Sequence, residues 1–153
     1  MTPFEAIQKI LKGEQVAEFP MQLPPTVAVT VGFEPVSIDK GAAVFKLDAN
    51  MERHANPMGT LHGGILCDLA DGAMGMACAS LLAAGESFTT LELKINFLRP
   101  VRNATLEARA KVVHGGKVMV YLECEVFTVP DEKLIAKVSS TCLILRGDAA
   151  RGR

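Results

Sequence analysis

The sequence predicts an α+β fold in which an antiparallel sheet curls around one long helix. Three observations predict it. From His62 to about Ala84 there is no proline, and apolar residues populate nearly every side of a helical wheel, as in a helix wrapped by other elements. Leu91, Leu93, Ile95 and Phe97 alternate with Glu92, Lys94 and Asn96, the period of a half-buried strand. His114-Gly115-Gly116-Lys117 then separates two β-branched runs as a hairpin turn.

In chain order, Thr2, Pro3 and Glu5 open a helix with a capping box and a proline at its first position. Phe4, Ile7, Ile10 and Leu11 form its apolar stripe, and Gly13 ends it. Pro20, Pro24 and Pro25 make residues 14–25 a connector. Val27–Phe33 and Ala42–Leu47 are expected strands, rich in β-branched and apolar residues and joined by a turn at Asp39–Gly41. A loop with Asn50, Asn56, Pro57 and Gly59 leads to the long helix. Strands follow over Leu91–Phe97, Leu106–Val113, Val118–Val126 and Leu134–Leu145. The expected organisation is an N-terminal helix and connector (1–25), one compact domain (26–146) and a frayed tail (147–153).

Composition narrows the function. Among 153 residues, 16 Lys and Arg nearly balance 17 Asp and Glu, so there is no polybasic footprint for nucleic acid or an anionic membrane. The 49% hydrophobic content favours a folded globule over disorder. The long helix would measure roughly 34 Å at ~1.5 Å per residue, long enough to cross a bilayer. Asp68, Asp71 and the alternating strands behind them argue against a membrane span. Cys67, Cys78, Cys124 and Cys142 show no metal-ligand spacing and follow no signal-peptide pattern, so four reduced thiols in a cytoplasmic protein are expected, with no metal.

The chemistry concentrates between Asn56 and Asp71. Gly63 and Gly64 are poor helix formers placed where the helix begins. They either permit a tight turn or let a ligand approach bare backbone N–H groups backed by the helix dipole. An aspartate inside an apolar helix is either desolvated or faces a cleft; side-chain neighbours alone do not say whether that residue is Asp68 or Asp71. Gly63 and Asp71 are eight residues apart, roughly 12 Å along a helix axis, so one carbonyl group cannot touch both. Either two antiparallel helices of a symmetric homodimer share each site, or one of the two residues has no catalytic part.

The run His62-Gly63-Gly64 through Leu69, Asp71 and Ala73, followed by Thr90-Leu91-Glu92-Leu93 and Ile95-Asn96-Phe97-Leu98-Arg99-Pro100, resembles the hotdog-fold acyl-CoA thioesterases of the phenylacetate-pathway (PaaI-like) group. The resemblance runs from about Val27 to Leu145. It implies a homodimer whose sheets join edge to edge, often a dimer of dimers, and an acyl-CoA substrate whose coenzyme A is part of the substrate, with no separate cofactor. It makes Asp71 the general base or nucleophile and Asp68 a supporting or structural group. Gly63 resembles the amide donor to the thioester oxygen, with Gly64 beside it, and His62 a brace for that helix end or a contact to the thioester. Asn56 resembles the side chain that helps place the attacking water, and Thr90 the hydroxyl near the carboxylate. Strict alternation favours Thr89 for that hydroxyl, and a bulge at the strand start decides between them. Arg99, Pro100, Val101 and the His114–Lys117 turn, with Gly116 and Lys117, lie by resemblance near the nucleotide of coenzyme A.

His54 and His114 read as surface or turn residues. The acyl pocket is expected to be lined from two or more subunits, by residues such as Met58, Leu66 and Leu82. Two other readings compete with thioester hydrolysis. One is an enoyl-thioester hydratase or dehydratase, which would want a histidine five residues after the aspartate; neither Asp68 nor Asp71 has one. The other is a non-catalytic acyl-CoA-binding protein.

Overall fold

In a computed structural model, residues 1–17, 19 and 21–151 are described. Glu18 and Pro20 of the connector, and Gly152 and Arg153 of the expected tail, lie outside the described residues. Helix α1 (Pro3–Leu11) starts as the sequence dictates. Thr2 accepts from the Glu5 amide, and the Glu5 carboxylate accepts from the Thr2 amide at 2.8 Å.

The segment expected as the first strand is instead helix α2 (Thr26–Val31). Its β-branched residues favour a strand, but Pro25 immediately before it and Gly32 just after it, with φ +94°, bracket one short helical turn pair. The strand comes later, as β1 (Phe33–Asp39), and pairs through the expected turn with β2 (Ala42–Ala49). A single helical turn, α3 (Met51–His54), interrupts the loop that follows.

The central helix α4 (Gly63–Ala79) begins where expected and stops five residues short of Ala84. The Ser80 hydroxyl, donating to the Ala77 carbonyl at 2.7 Å and accepting from the Gly41 amide at 2.7 Å, ends it and ties it to the β1–β2 turn. No helix among the described residues is long and apolar enough to cross a membrane. Strands β3 (Ser87–Phe97), β4 (Ala104–Gly115), β5 (Met119–Val129) and β6 (Leu134–Leu145) follow.

The six strands form one antiparallel sheet in the order β1-β2-β4-β5-β6-β3, leaving β1 and β3 as edges. Leu69, Ala70, Ala73, Met74 and Ala77 of α4 pack on Leu106, Leu122 and Val126 of the sheet in one core. The small residues let helix backbone and sheet approach closely, which explains why α4 is apolar on most sides. Three of the four cysteines are buried in this region, and all four are free thiols.

Candidate active site

Asp71 projects from the middle of α4 toward β3, where the Thr90 hydroxyl donates to its carboxylate at 3.2 Å. Which threonine meets it is settled by a bulge. The register of β3 against β6 runs Thr90–Cys142, then Glu92–Thr141, so Leu91 is an extra residue that reverses the alternation. Thr90 therefore shares a face with Leu93 and Ile95, while Thr89 points to the other side and Leu91 is 55% exposed. The inward position expected for Leu91 is corrected by the same bulge.

The Asp71 carboxylate opens into a cavity of about 540 Å³ whose walls come from α1, the connector, α2, β1, α4 and β3. Asp68 lines the same wall one helical turn earlier, with Gly72 and Gly75 completing it. A Cβ at Gly72 would stand 3.0 Å from the Phe33 ring, and one at Gly75 would stand 3.4 Å from the Phe88 ring, so both glycines admit aromatic rings onto the helix surface. Although Asp71 is reachable from solvent, the apolar walls deprive it of hydration and raise its pKa above the usual carboxylate range. The nearby Asp68 charge pushes it further up, and the Thr90 hydroxyl pulls it down.

A second station lies at the start of α4. The His62 imidazole caps the helix, its Nδ1 accepting from the Gly64 amide at 2.9 Å, which places the ring proton on Nε2. The Gly64 amide is thus occupied within the chain and is not the spare donor its position suggested. The Gly63 amide has no acceptor among the described residues. A Cβ on Gly63 would fall 2.7 Å from the Phe97 ring, so glycine is required there by close approach. Asn56 organises the preceding loop: its Oδ1 accepts from the Met58 and Thr60 amides and its Nδ2 donates to the Thr60 hydroxyl at 2.9 Å.

Gly63 and Asn56 share a groove of about 370 Å³ with Leu66, Phe97 and the Arg99–Val101 segment. Arg99 and Pro100 are exposed and Val101 is buried. On their other side a second groove collects Arg102 and Lys133, two cations the sequence reading missed; Arg102 sits only three residues after Arg99. Gly116 and Lys117 lie elsewhere, in the β4–β5 turn at the opposite end of the sheet. The length of β5 between Met119 and Phe127 sets that separation at about 26 Å, so within one chain these two residues do not join Arg99.

His54 is not a surface residue. It is 4% exposed, turned inward by α3, with Nδ1 accepting from the Asn50 amide at 3.0 Å and Nε2 donating to the Val31 carbonyl at 2.8 Å. His114 is exposed, as expected. Of the residues named for the acyl pocket, Met58 is 83% exposed, Leu82 is buried in the core, and Leu66 lines the Gly63 groove; within one chain none of them lines the Asp71 cavity. Part of that cavity's wall is supplied by α1, whose apolar stripe was the available signal. Among the described residues, no group of three or more His, Cys, Asp or Glu side chains is placed to hold a metal ion.

The model of the thioesterase superfamily matches residues 58–135 of the chain. The acyl-coenzyme A thioesterase PaaI of Escherichia coli is 34% identical over 126 residues, covering 81% of each chain. A 1,4-dihydroxy-2-naphthoyl-CoA hydrolase of Listeria monocytogenes is 34% identical over 106 residues, 69% of this chain and 85% of the relative. The solved structure of the Escherichia coli PaaI protein superposes with a TM-score of 0.77 over 95% of this chain and 94% of that one, at 25% identity.

Proposed function

The chain belongs to the thioesterase superfamily and has its hotdog fold, and from that premise we propose that it hydrolyses an acyl-CoA thioester to the free acid and coenzyme A. One observation carries the reading. A carboxylate with a raised pKa faces a large apolar cavity on one stretch of α4, and an amide without an acceptor stands at the helix start.

The Gly63 amide, with the positive end of the α4 dipole behind it, supports charge developing on the thioester oxygen. Asp71 acts from the other side. As general base it takes a proton from water, which attacks the carbonyl carbon; as nucleophile it attacks that carbon itself, and the resulting anhydride is then hydrolysed. Either way the C–S bond breaks, the sulfur leaves as thiolate and takes up a proton. Asn56 keeps one Nδ2 proton free to orient water.

In an unbent helix the two stations are ~12 Å apart, so a site using both needs α4 from two chains lying antiparallel. The unpaired edge of β3, with Leu91 and Phe97 exposed, supports pairing of two sheets there. A homodimer with two shared sites follows, and a dimer of dimers is compatible with it. Arg99 and Arg102 offer the phosphates of coenzyme A two cations close to the Gly63 groove, Lys133 beside them being paired with Asp131 at 2.9 Å, and Gly116 and Lys117 reach that region only from another subunit.

Thiol release from acyl-CoA, followed with a thiol reagent, tests the activity. Hydrolysis releases one thiol per turnover, whereas hydration of an enoyl thioester leaves the ester intact. Turnover in the wild type that disappears in a folded Asp71→Ala variant is the expected result; no release from any acyl-CoA would contradict the proposal.

A further inference from the structure

The cavity beside Asp71 has a composition that bears on which acyl group it takes. Its far walls are Ile7, Ile10 and Leu11 of α1, Leu23 of the connector, Val27 of α2 and Phe33 of β1. Helix α1 is firmly docked: Ile7 is fully buried, and the Gln8 side chain donates to the Ile38 carbonyl at 2.6 Å. The polar side chains that line the cavity are Glu34, Asp68, Asp71 and Thr90. The Thr90 hydroxyl is committed to Asp71, and Glu34 is held by Lys46 at 2.8 Å. Among the described residues, no lysine, arginine, histidine, asparagine or glutamine side chain lines it.

Three consequences follow. An acyl group ending in a carboxylate would meet Asp68 and Asp71 with no cation facing them from this lining, Glu34 being paired with Lys46. A keto oxygen, which can only accept, would find no side-chain donor among the described lining residues other than the committed Thr90 hydroxyl, and burying it unpaired is costly. An apolar chain gains from every methylene it buries. The volume of about 540 Å³, at ~30 Å³ per water-sized group, corresponds to about 18 such groups and admits an acyl chain of medium length with room to spare.

We propose that α1 and the connector form the acyl-chain wall of the Asp71 site, and that the site selects unsubstituted aliphatic acyl groups of medium length over short-chain and dicarboxylic ones. The inference rests on the thioesterase reading for its chemistry, and on the cavity lining alone for its selectivity. It places in the recognition of substrate a segment outside residues 58–135, which the superfamily model matches.

The test compares butanoyl-, hexanoyl-, decanoyl- and succinyl-CoA by thiol release on the full chain. Between four and ten carbons, kcat/KM rises by roughly threefold per methylene, and decanoyl-CoA exceeds the succinyl ester by at least tenfold. Ile10→Trp, which fills the cavity from α1, lowers the ratio of decanoyl to hexanoyl kcat/KM at least tenfold; Val27→Phe, on a different element, shifts it in the same direction. A flat chain-length profile, equal or better turnover of the succinyl ester, or an unchanged ratio in both folded variants overturns the proposal. If no ester releases thiol, the thioesterase reading fails separately, and binding of intact decanoyl-CoA by calorimetry decides the cavity. Binding that Ile10→Trp abolishes sustains the apolar chain site, and absence of binding overturns it.

Discussion

At the start of α4 the backbone is tied down from several sides. The His62 amide donates to the His54 carbonyl at 2.8 Å, the Leu61 amide to the Val101 carbonyl at 2.7 Å, and the Asn56 amide to the Thr60 carbonyl at 2.7 Å, while His62 caps the helix. Eight residues on, Asp71 has one side-chain hydrogen bond, to Thr90, on an edge strand. The first station holds a neutral N–H in a fixed direction, which requires geometry. The second holds an ionisable group at an unusual proton affinity, which requires apolar surroundings more than partners. Substitutions should therefore act differently at the two: through position at the first, and through protonation at the second.

The largest effect is expected at the second station. Asp71→Asn keeps the shape and removes the base, lowering kcat by roughly 10²–10⁴-fold in the thiol-release assay. Its stability moves the opposite way. Because burial raises the Asp71 pKa, the folded chain holds that proton more tightly than the unfolded one. Stability is then lost as pH rises from the ordinary carboxylate value through the raised one, and the asparagine variant melts at a higher Tm than wild type at neutral pH. A lower Tm there would contradict the electrostatic account of this station.

At the first station, Gly63→Ala keeps the amide but drives a Cβ into the Phe97 ring. The misplaced donor should cost roughly 10²-fold in kcat and the overpacking about 1–3 kcal/mol, read from thiol release and from denaturant unfolding. Adding Phe97→Ala, which removes the clashing ring, should recover most of the turnover. Failure to recover it would mean that Gly63 is needed for something other than the approach of that ring.

Thr90→Val has a smaller, pH-specific effect. The hydroxyl lowers the Asp71 pKa, so its loss moves the acid limb of kcat/KM to still higher pH, whereas Thr90→Ser leaves the limb in place. His62→Ala should be the mildest: losing a helix cap costs about 1 kcal/mol in unfolding experiments, with kcat reduced only severalfold. A kcat loss as large as that of Asp71→Asn would assign His62 a direct part in the chemistry.

Much of this was legible in the residues. Thr2, Pro3 and Glu5 announce α1 because capping is local, and β6 follows the turn at Pro130-Asp131 and ends with the apolar Cys142–Leu145 stretch. The pairing of Thr90 with Asp71 was not settled by alternation, because one extra residue, Leu91, reverses which side chains face the helix. Helix α2 was misread because Val27, Val29, Thr30 and Val31 favour a strand individually, while Pro25 and Gly32 fix the segment as a helix together. His54 was taken for a surface group because its partners, the Asn50 amide and the Val31 carbonyl, are backbone atoms that carry no sequence signature. The acyl cavity was hidden for a related reason: its wall joins α1 to α4 across more than fifty residues, a contact that no periodicity encodes.

Mixing two inactive variants tests most directly whether the two stations are shared between chains. One carries Asp71→Asn. The other carries Gly63→Pro with Phe97→Ala, which removes the amide at a helix position that tolerates proline. After dissociation and reassociation in equal amounts, each heterodimer has one site with an intact amide from one chain and an intact carboxylate from the other. The account predicts recovery of about a quarter of wild-type thiol release per chain, from half of the dimers each carrying one working site. If heterodimers form and thiol release stays at the background of the parents, Gly63 and Asp71 do not act on the same thioester from different chains, and the account is contradicted.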